Sequence, residues 1–508
     1  HVVLFGGFSA EGIAERLMDS GAVLAITASE AKRGSKTVPF KQTMDEALLK
    51  CGQKSTVHSV LVVRTSEAAV PMLPGRDYDY HDFVDTFEPD FVPVVVSAEA
   101  PLFMLYTSGS TGKPKAVVHA TGGYMVWAAY TMGMVYAQQP GDVLWCTADV
   151  AWITGHTSVV YGPLANGGTT MISDSLPNAP HAGRWLDLID QYKVTMLFTS
   201  PTAVRAMMAD GDDVVQAHSL ATLRLLGVAG EPISSDVWLW YHDVIGRGKC
   251  PVVDTWWQTE TAGIVLGPVP GAQPLKPGSA STPLPGLELA IANTKGQIQH
   301  NAAEGSLCIA SSWPGQARTI WRDHDRFCKT YFSMVPGFYF TGDGAKRDED
   351  GYYWITGRMD DVINVAGHRL GTAEVEDALA TDHRLLESAA VGIPHPVKGQ
   401  ALVVFAIIRK DATTQPTEAG IKLLVADTLG RYATPETVYL VPDLPRTRSG
   451  KIVRRLLRKI ASDEIDSLGD LSTLTDQNIV QILCTAVHEK KIERIMLPSS
   501  LPAQQARA

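Results

Sequence analysis

The stretch that most constrains this chain is Tyr106-Thr107-Ser108-Gly109-Ser110-Thr111-Gly112-Lys113-Pro114-Lys115. It follows a short apolar run, residues 102–105, whose pattern predicts a buried strand. Ten residues hold two glycines, four Ser/Thr hydroxyls and two lysines. Glycines let backbone N–H groups approach a phosphate closely, hydroxyls add donors, and lysines add point charge. A few such residues would make an ordinary turn between a strand and a helix; the whole string predicts a phosphate cradle. It is not a Walker A loop, because Thr107 stands where that pattern needs glycine.

At 508 residues the chain is too long for a single core, so two or more domains are expected. Lys and Arg total 44 against 54 Asp and Glu, a net charge of −10, and no basic run offers a nucleic-acid footprint. The expected partners are therefore small molecules. Six cysteines lie scattered without CxxC spacing, which predicts reduced thiols and a cytoplasmic protein. No apolar run is long enough to span a membrane. The chain opens on His1 and runs at once into strand-like residues, as the middle of a longer protein would; any targeting peptide is beyond reach here.

Strand-like runs at 2–5, 23–27 and 57–63 alternate with helical patterns at 10–19 and 43–49, which predicts an α/β layer with parallel strands. Gly6 and Gly7 close the first run, and Arg33 with Lys36 follows the second; a solvated basic face is the plain alternative to a ligand contact. Residues 145–156 are aromatic and glycine-poor, fitting either a pocket wall or core. Three further strands end in loops rich in Gly, Thr, Glu and Trp. These are 194–199 before Ser200-Pro201-Thr202, which predicts a helix start with proline in its first turn, 223–228 before Ala229-Gly230-Glu231-Pro232, and Val252-Val253-Asp254 before Thr255-Trp256-Trp257-Gln258-Thr259-Glu260-Thr261. In parallel sheets such strand ends are where ligand chemistry gathers.

Residues 271–285 and 298–309 predict a small β subdomain, and 348–351 a hairpin turn before a strand at 352–355. Composition shifts at Asp360, placing a large domain at 1–360 and a small α/β domain at 361–508. Within the latter, Pro445-Arg446-Thr447-Arg448-Ser449-Gly450-Lys451 reads locally as a basic linker entering a helix.

Together and in this order, these motifs resemble the acetyl-coenzyme A synthetase family, the AMP-forming acetate–CoA ligases of the adenylate-forming superfamily. The match runs from residue 1 to about residue 490. It includes literal stretches at 254–261, 347–358, 368–374 and Trp313-Pro314-Gly315-Gln316-Ala317-Arg318-Thr319. The chain resembles a member lacking its N-terminal portion. The fold so implied is a large multi-layer α/β adenylation domain with a β subdomain, plus a small mobile α/β C-terminal domain.

The resemblance implies two steps. Acetate attacks the α-phosphate of ATP to give acetyl-AMP and pyrophosphate, and the CoA thiol then displaces AMP. Lys451 matches the family's catalytic lysine, which the family switches off by acetylation; a lysine acetyltransferase and a deacetylase are thus expected partners. Thr107, Ser108, Gly109, Ser110, Thr111, Gly112 and Lys113 would grip the outer phosphates. Gly230, Glu231 and Pro232, with Asp254, Thr255, Trp256, Trp257, Gln258 and Thr259, would pack adenine and meet the α-phosphate. Asp343 would hold the ribose hydroxyls, Arg358 and Arg369 ribose and phosphate, and Glu260 a Mg²⁺ ion. Asp360 matches the hinge, and Gly367 would open the channel for the CoA thiol. Gly6, Gly7, Arg33, Lys36, Thr154, Asn178 and Ala366 fall on CoA-contacting positions. A second cation site would use Ala380, Asp382 and Leu385.

The acyl-pocket positions are Ile153, Thr154, Ala229 and Trp257, with the indole as the wall that limits the acid to acetate or propionate. Ala229 stands where acetate enzymes usually carry valine, which predicts acetate first with measurable propionate use. Other departures are Ala116 and Ala151 for glycines, Ala366 for serine, Ala426 for arginine and Asp382 for histidine. The competing expectations are a propionate–CoA ligase and a truncated, non-catalytic nucleotide-binding homologue.

Overall fold

The structure is a computed structural model. It describes residues 1–496 apart from 7, 34–35, 108–114, 360–362, 366–367, 396–398, 448–449, 470 and 472. The chain divides into two compact units, His1–Ile355 and Thr356–Ala508.

The first unit opens with three parallel strands, Leu24–Ala28, Ser59–Val63 and Asp77–Asp79. Helices Ala10–Ser20 and Phe40–Cys51 bury Ile13, Leu17, Met44 and Leu48 against Val60 and Val62. Ser9 caps the first helix by accepting from the Gly12 N–H at 3.2 Å. Residues 2–5, expected as a strand, are not one. Phe5 is buried instead, and its carbonyl accepts from the Phe8 N–H in a turn, so apolar sequence there serves packing rather than pairing.

An ion cluster lies in this layer. Lys41, 1% exposed, bonds Asp45 at 2.6 Å and Asp77 at 2.9 Å, and Arg76 reaches both carboxylates. Burial alone would raise the Asp77 pKa; Arg76, the Leu73 N–H and Lys41 outweigh it and hold the carboxyl well below the usual range.

A second sheet orders Val252–Asp254, Leu225–Val228, Met196–Thr199, Val143–Cys146 and Thr169–Met171, all parallel. The inner strands Leu225–Val228 and Met196–Thr199 are buried at every position because both faces are covered, whereas the edge strand Thr169–Met171 is part-exposed. Leu144, Cys146, Met196, Phe198 and Val253 join the core around helix Thr121–Tyr136. Trp145, Leu197, Leu226 and Val252 face the helices Arg184–Tyr192, Pro201–Asp210 and Ser235–Trp240. Trp145 is therefore core rather than pocket wall.

Pro101–Thr107 and Lys115–Ala120 form an antiparallel pair with Thr107 opposite Lys115. The 106–115 stretch thus joins strand to strand, not strand to helix. Five antiparallel strands, Leu289–Ala292, Ile298–Gln299, Ala303–Ile309, Tyr339–Arg347 and Tyr353–Arg358, make the β subdomain.

In the second unit, strands Leu385–His395, Gly399–Ile408 and Thr437–Leu440 form a sheet with Ile363–Val365 and His368–Leu370. One face buries Val391, Val403 and Phe405 against helices Arg454–Ala461 and Asn478–Met496. The other buries Ala390, Leu402 and Val404 against Thr372–Ala380 and Glu418–Leu429. No described helix is long and apolar enough to cross a membrane.

The Asp77 carboxylate contributes stability that is complete above the ordinary carboxylate pKa and lost as pH falls below it. Asp77→Asn should destabilise the first unit by about 3 kcal/mol at pH 7, because Lys41 is left buried without its full complement of charge. Chemical denaturation at pH 7 and pH 3 should show the gap narrowing at the lower pH.

Candidate active site

The loop after strand Val252–Asp254 organises the first unit's site. Thr255 Oγ1 donates to the Val228 carbonyl at 3.1 Å, and the Trp256 N–H donates to the Leu266 carbonyl at 2.9 Å. Trp256 Nε1 and Gln258 Nε2 both donate to Asp343 Oδ2, at 3.1 and 2.6 Å. Gln258 Nε2 also reaches the Thr341 carbonyl at 2.8 Å. The β subdomain strand carrying Asp343 is so joined to the loop.

Beyond Gln258 the chain makes one tight turn, Thr259–Thr261, and four successive carbonyls each receive a donor, drawn from three separate segments of the chain. His119 Nε2 reaches the Thr259 oxygen at 2.8 Å, and the Ala317 N–H the Glu260 oxygen at 2.9 Å. Trp313 Nε1 reaches the Thr261 oxygen at 3.1 Å, and Thr157 Oγ1 the Ala262 oxygen at 2.5 Å. A carbonyl partner requires that His119 carry its proton on Nε2. Burial pushes the His119 pKa down to about 4, so the ring is a neutral donor at pH 7.

The Glu260 carboxylate turns inward to Lys115 Nζ at 2.9 Å and to the Tyr331 hydroxyl. Burial would raise its pKa, but Lys115 and Tyr331 outweigh that and hold it low. Lys115 and His119 alternate on one face of the strand that leaves the 106–115 stretch, so one short strand grips the 258–262 loop twice. The Asp254 carboxyl is buried, and burial raises its pKa to about 8, leaving it uncharged at neutral pH.

Glu231 is tied to the neighbouring strand end. It accepts from the Thr202 N–H at 2.7 Å and from Arg205 at 3.2 Å, at the start of helix Pro201–Asp210. Gly230 precedes it at φ 104°, backbone that favours glycine. Pro232 follows on the surface. Ile153, Ala229 and Trp257 share one apolar cluster with Trp256, and Thr154 lies half-buried beside Ile153.

Other expected positions stand apart or lie outside the described residues. Asn178 is exposed, and Gly6 is exposed at a turn. Arg33 and Lys36 oppose each other in a two-stranded hairpin, with side chains outside the description, as is the Arg369 side chain. Ser108, Gly109, Ser110, Thr111, Gly112, Lys113, Asp360, Ala366 and Gly367 also lie outside the described residues. Arg358 ends its strand. Ala380 is exposed and Leu385 buried, while the Asp382 carboxylate is forked by Arg384 at 2.8 and 2.7 Å, so a cation there would have to displace an ion pair. Lys451 is exposed in the second unit, and its carbonyl accepts from the Thr447 N–H at 2.8 Å.

Sequence reasoning missed His119, Thr157, Tyr331 and the role of Lys115 toward Glu260. Nothing local marks them, since each acts on a segment far away in sequence. Trp313 and Ala317 lay in a literal family stretch, which was their available signal.

These features belong to an enzyme of the AMP-binding class, as two family matches show. The AMP-binding enzyme family model matches residues 1–321, and the AMP-binding enzyme C-terminal domain matches residues 374–451. The chain belongs to the AMP-binding enzyme family, in its acetyl-coenzyme A synthetase branch. It is 52% identical over 486 residues to the acetyl-coenzyme A synthetase of Caulobacter vibrioides, covering 95% of this chain and 74% of that protein. It is 50% identical over 497 residues to that of Stutzerimonas stutzeri, covering 97% and 76%. Among solved structures, acetoacetyl-CoA synthetase from Streptomyces lividans matches with a TM-score of 0.83 at 23% identity, over 95% of this chain and 73% of that one; this likeness concerns the fold.

Two outcomes follow from the geometry. Lys115→Met should destabilise by about 3 kcal/mol, and adding Glu260→Gln should restore much of the loss, a coupling that denaturation of both single variants and the double variant will read. The His119 contribution is complete above its unfolded value of about 6.5 and is lost as pH falls through about 4. His119→Gln should therefore flatten the fall in stability over that window by about 3 kcal/mol.

Proposed function

We propose that this chain ligates acetate to CoA at the expense of ATP, forming acetyl-CoA, AMP and pyrophosphate through acetyl-AMP. The observation that carries this reading is the 254–262 loop, fixed at once to Asp343 and to the strand leaving the Ser/Gly/Lys-rich stretch. Identity of about half to acetyl-coenzyme A synthetases favours acetate ligation over a non-catalytic homologue or a dedicated propionate enzyme.

In this reading residues 1–360 adenylate and residues 361–508 carry Lys451, with Asp360 as the hinge. Lys451 places a compact charge where the acetate and α-phosphate oxygens meet, the step in which two anions must be brought together. Thr107–Lys113 hold the outer phosphates, and Asp343 takes the ribose hydroxyls. Gly367 leaves room for the thiol in the second step, while Arg33 and Lys36 suit the CoA phosphate. For Mg²⁺, the donor set fits in part: Glu260 is one carboxylate, and Mg²⁺ commonly takes one or two with phosphate and water oxygens. Lys115 already pairs that carboxylate at 2.9 Å, so an ion bound there would have to displace the lysine, as at Asp382, and would then neutralise phosphate charge. The exposed Lys451 side chain suits reversible acetylation by a modifying enzyme pair, and six free cysteines suit a cytoplasmic setting.

The Ala229 and Trp257 cluster supports acetate with measurable propionate. Acetate should give the higher kcat/KM, and Ala229→Val should lower relative propionate use about tenfold, since a methylene is worth about 1–3 kcal/mol in a pocket. Lys451→Ala should abolish acetate-dependent ATP–pyrophosphate exchange while sparing thioester formation from supplied acetyl-AMP. Exchange that survives this change would remove Lys451 from the mechanism.

A further inference from the structure

The loop that presents Lys451 is held by an ion pair that the reaction scheme does not use. Arg446 and Ile452 face each other as an antiparallel bridge. The Thr447 N–H donates to the Lys451 carbonyl at 2.8 Å, the Gly450 N–H to the Thr447 carbonyl at 2.9 Å, and the Val453 N–H to the Pro445 carbonyl at 2.7 Å. Gly450, immediately before Lys451, sits at φ 88°, backbone that favours glycine.

The Arg446 guanidinium lies over this turn. Its two terminal nitrogens fork onto the two carboxylate oxygens of Glu387, Nη1 at 3.1 Å to Oε1 and Nη2 to Oε2. Nη1 also donates to the Gly450 carbonyl at 3.2 Å. Glu387 belongs to strand Leu385–His395, next to the register shift between Leu385 and Glu387, the kind of irregularity that re-aims a side chain. Both side chains are about four-fifths buried, at 18% and 20% exposure, so the pair is shielded from screening and its geometry is constrained. A planar fork has donors left over after gripping a carboxylate, and here one of them holds the residue preceding Lys451.

We propose that Glu387 and Arg446 are positioning residues for the lysine loop: the carboxylate fixes the guanidinium, and the guanidinium fixes the Gly450 carbonyl and with it the direction in which Lys451 leaves the second unit. This rests on the role given above to Lys451. Because that role belongs to adenylation, the clamp should matter to the first half-reaction and not to the second.

The test uses the full chain and two variants. Glu387→Gln removes the charge that orients the fork, and Arg446→Lys keeps the positive charge without a planar fork. Each should lower kcat for acetate-dependent ATP–pyrophosphate exchange at least tenfold with KM for ATP within twofold, while thioester formation from acetyl-AMP stays within twofold. Amide hydrogen exchange of the 446–453 segment should speed at least tenfold in both, with protection of strand Gly399–Ile408 unchanged. Equal losses in the two half-reactions, or segment protection that does not change, would overturn the clamp. Should the unaltered chain fail to exchange pyrophosphate, the ligase reading fails, and hydrogen exchange alone still decides the clamp.

Discussion

The site depends on how a polar loop is kept in place inside a core. Residues 258–262 run among buried aromatic and apolar neighbours, where an unpaired carbonyl costs about 1–3 kcal/mol. Each of four carbonyls in succession is met by its own donor, from three separate parts of the chain: His119, the loop carrying Trp313 and Ala317, and Thr157. A loop so held has no cheaper alternative conformation, because any shift would strand several donors and acceptors together. The rigidity that an adenylating site needs is in this case a consequence of polar satisfaction, not of regular secondary structure.

That arrangement also explains why the strand Lys115–Ala120 is where it is. It begins immediately after the Ser/Gly/Lys-rich stretch and pairs antiparallel with the strand before it. Lys115 and His119 then anchor both the charge of Glu260 and the carbonyl of Thr259. Position along one strand is converted into a fixed relation between Lys115, where that strand begins, and the candidate nucleotide loop. The parallel sheet supplies the other reference, since its strand ends bring Thr199, Val228 and Asp254 to one edge in register.

Much of this was legible in sequence, and what was not has a physical reason. The parallel layer was readable because its strands are short apolar runs ending in Gly, Thr and Trp, and the N-cap at Ser200 with proline after it marked helix Pro201–Asp210. The β subdomain announced itself through glycine-punctuated short strands. Residues 2–5 misled because burial of Phe5 and strand formation favour the same residue types. Trp145 left two options open for a similar reason, and only its place opposite Trp185 shows it as core. The donors to the 259–262 carbonyls carry no local pattern, for a histidine in an apolar strand looks the same whether it meets a neighbour or a segment 140 residues away.

The charge state of the loop completes the physical case. Three carboxyls stand in or against the 254–262 segment: Asp254, Glu260 and Asp343. Two like charges about 6 Å apart at an effective dielectric near 20 repel by about 3 kcal/mol, enough to cost a triphosphate some hundredfold in affinity. The structure relieves two of the three by different means. Burial raises the Asp254 pKa to about 8 and leaves it neutral, whereas Glu260 stays ionised with Lys115 at 2.9 Å to cancel it. The third, Asp343, accepts at Oδ2 from the Trp256 and Gln258 N–H groups. An acidic motif can therefore face an anion, because burial and ion pairing together leave it little net charge with which to repel.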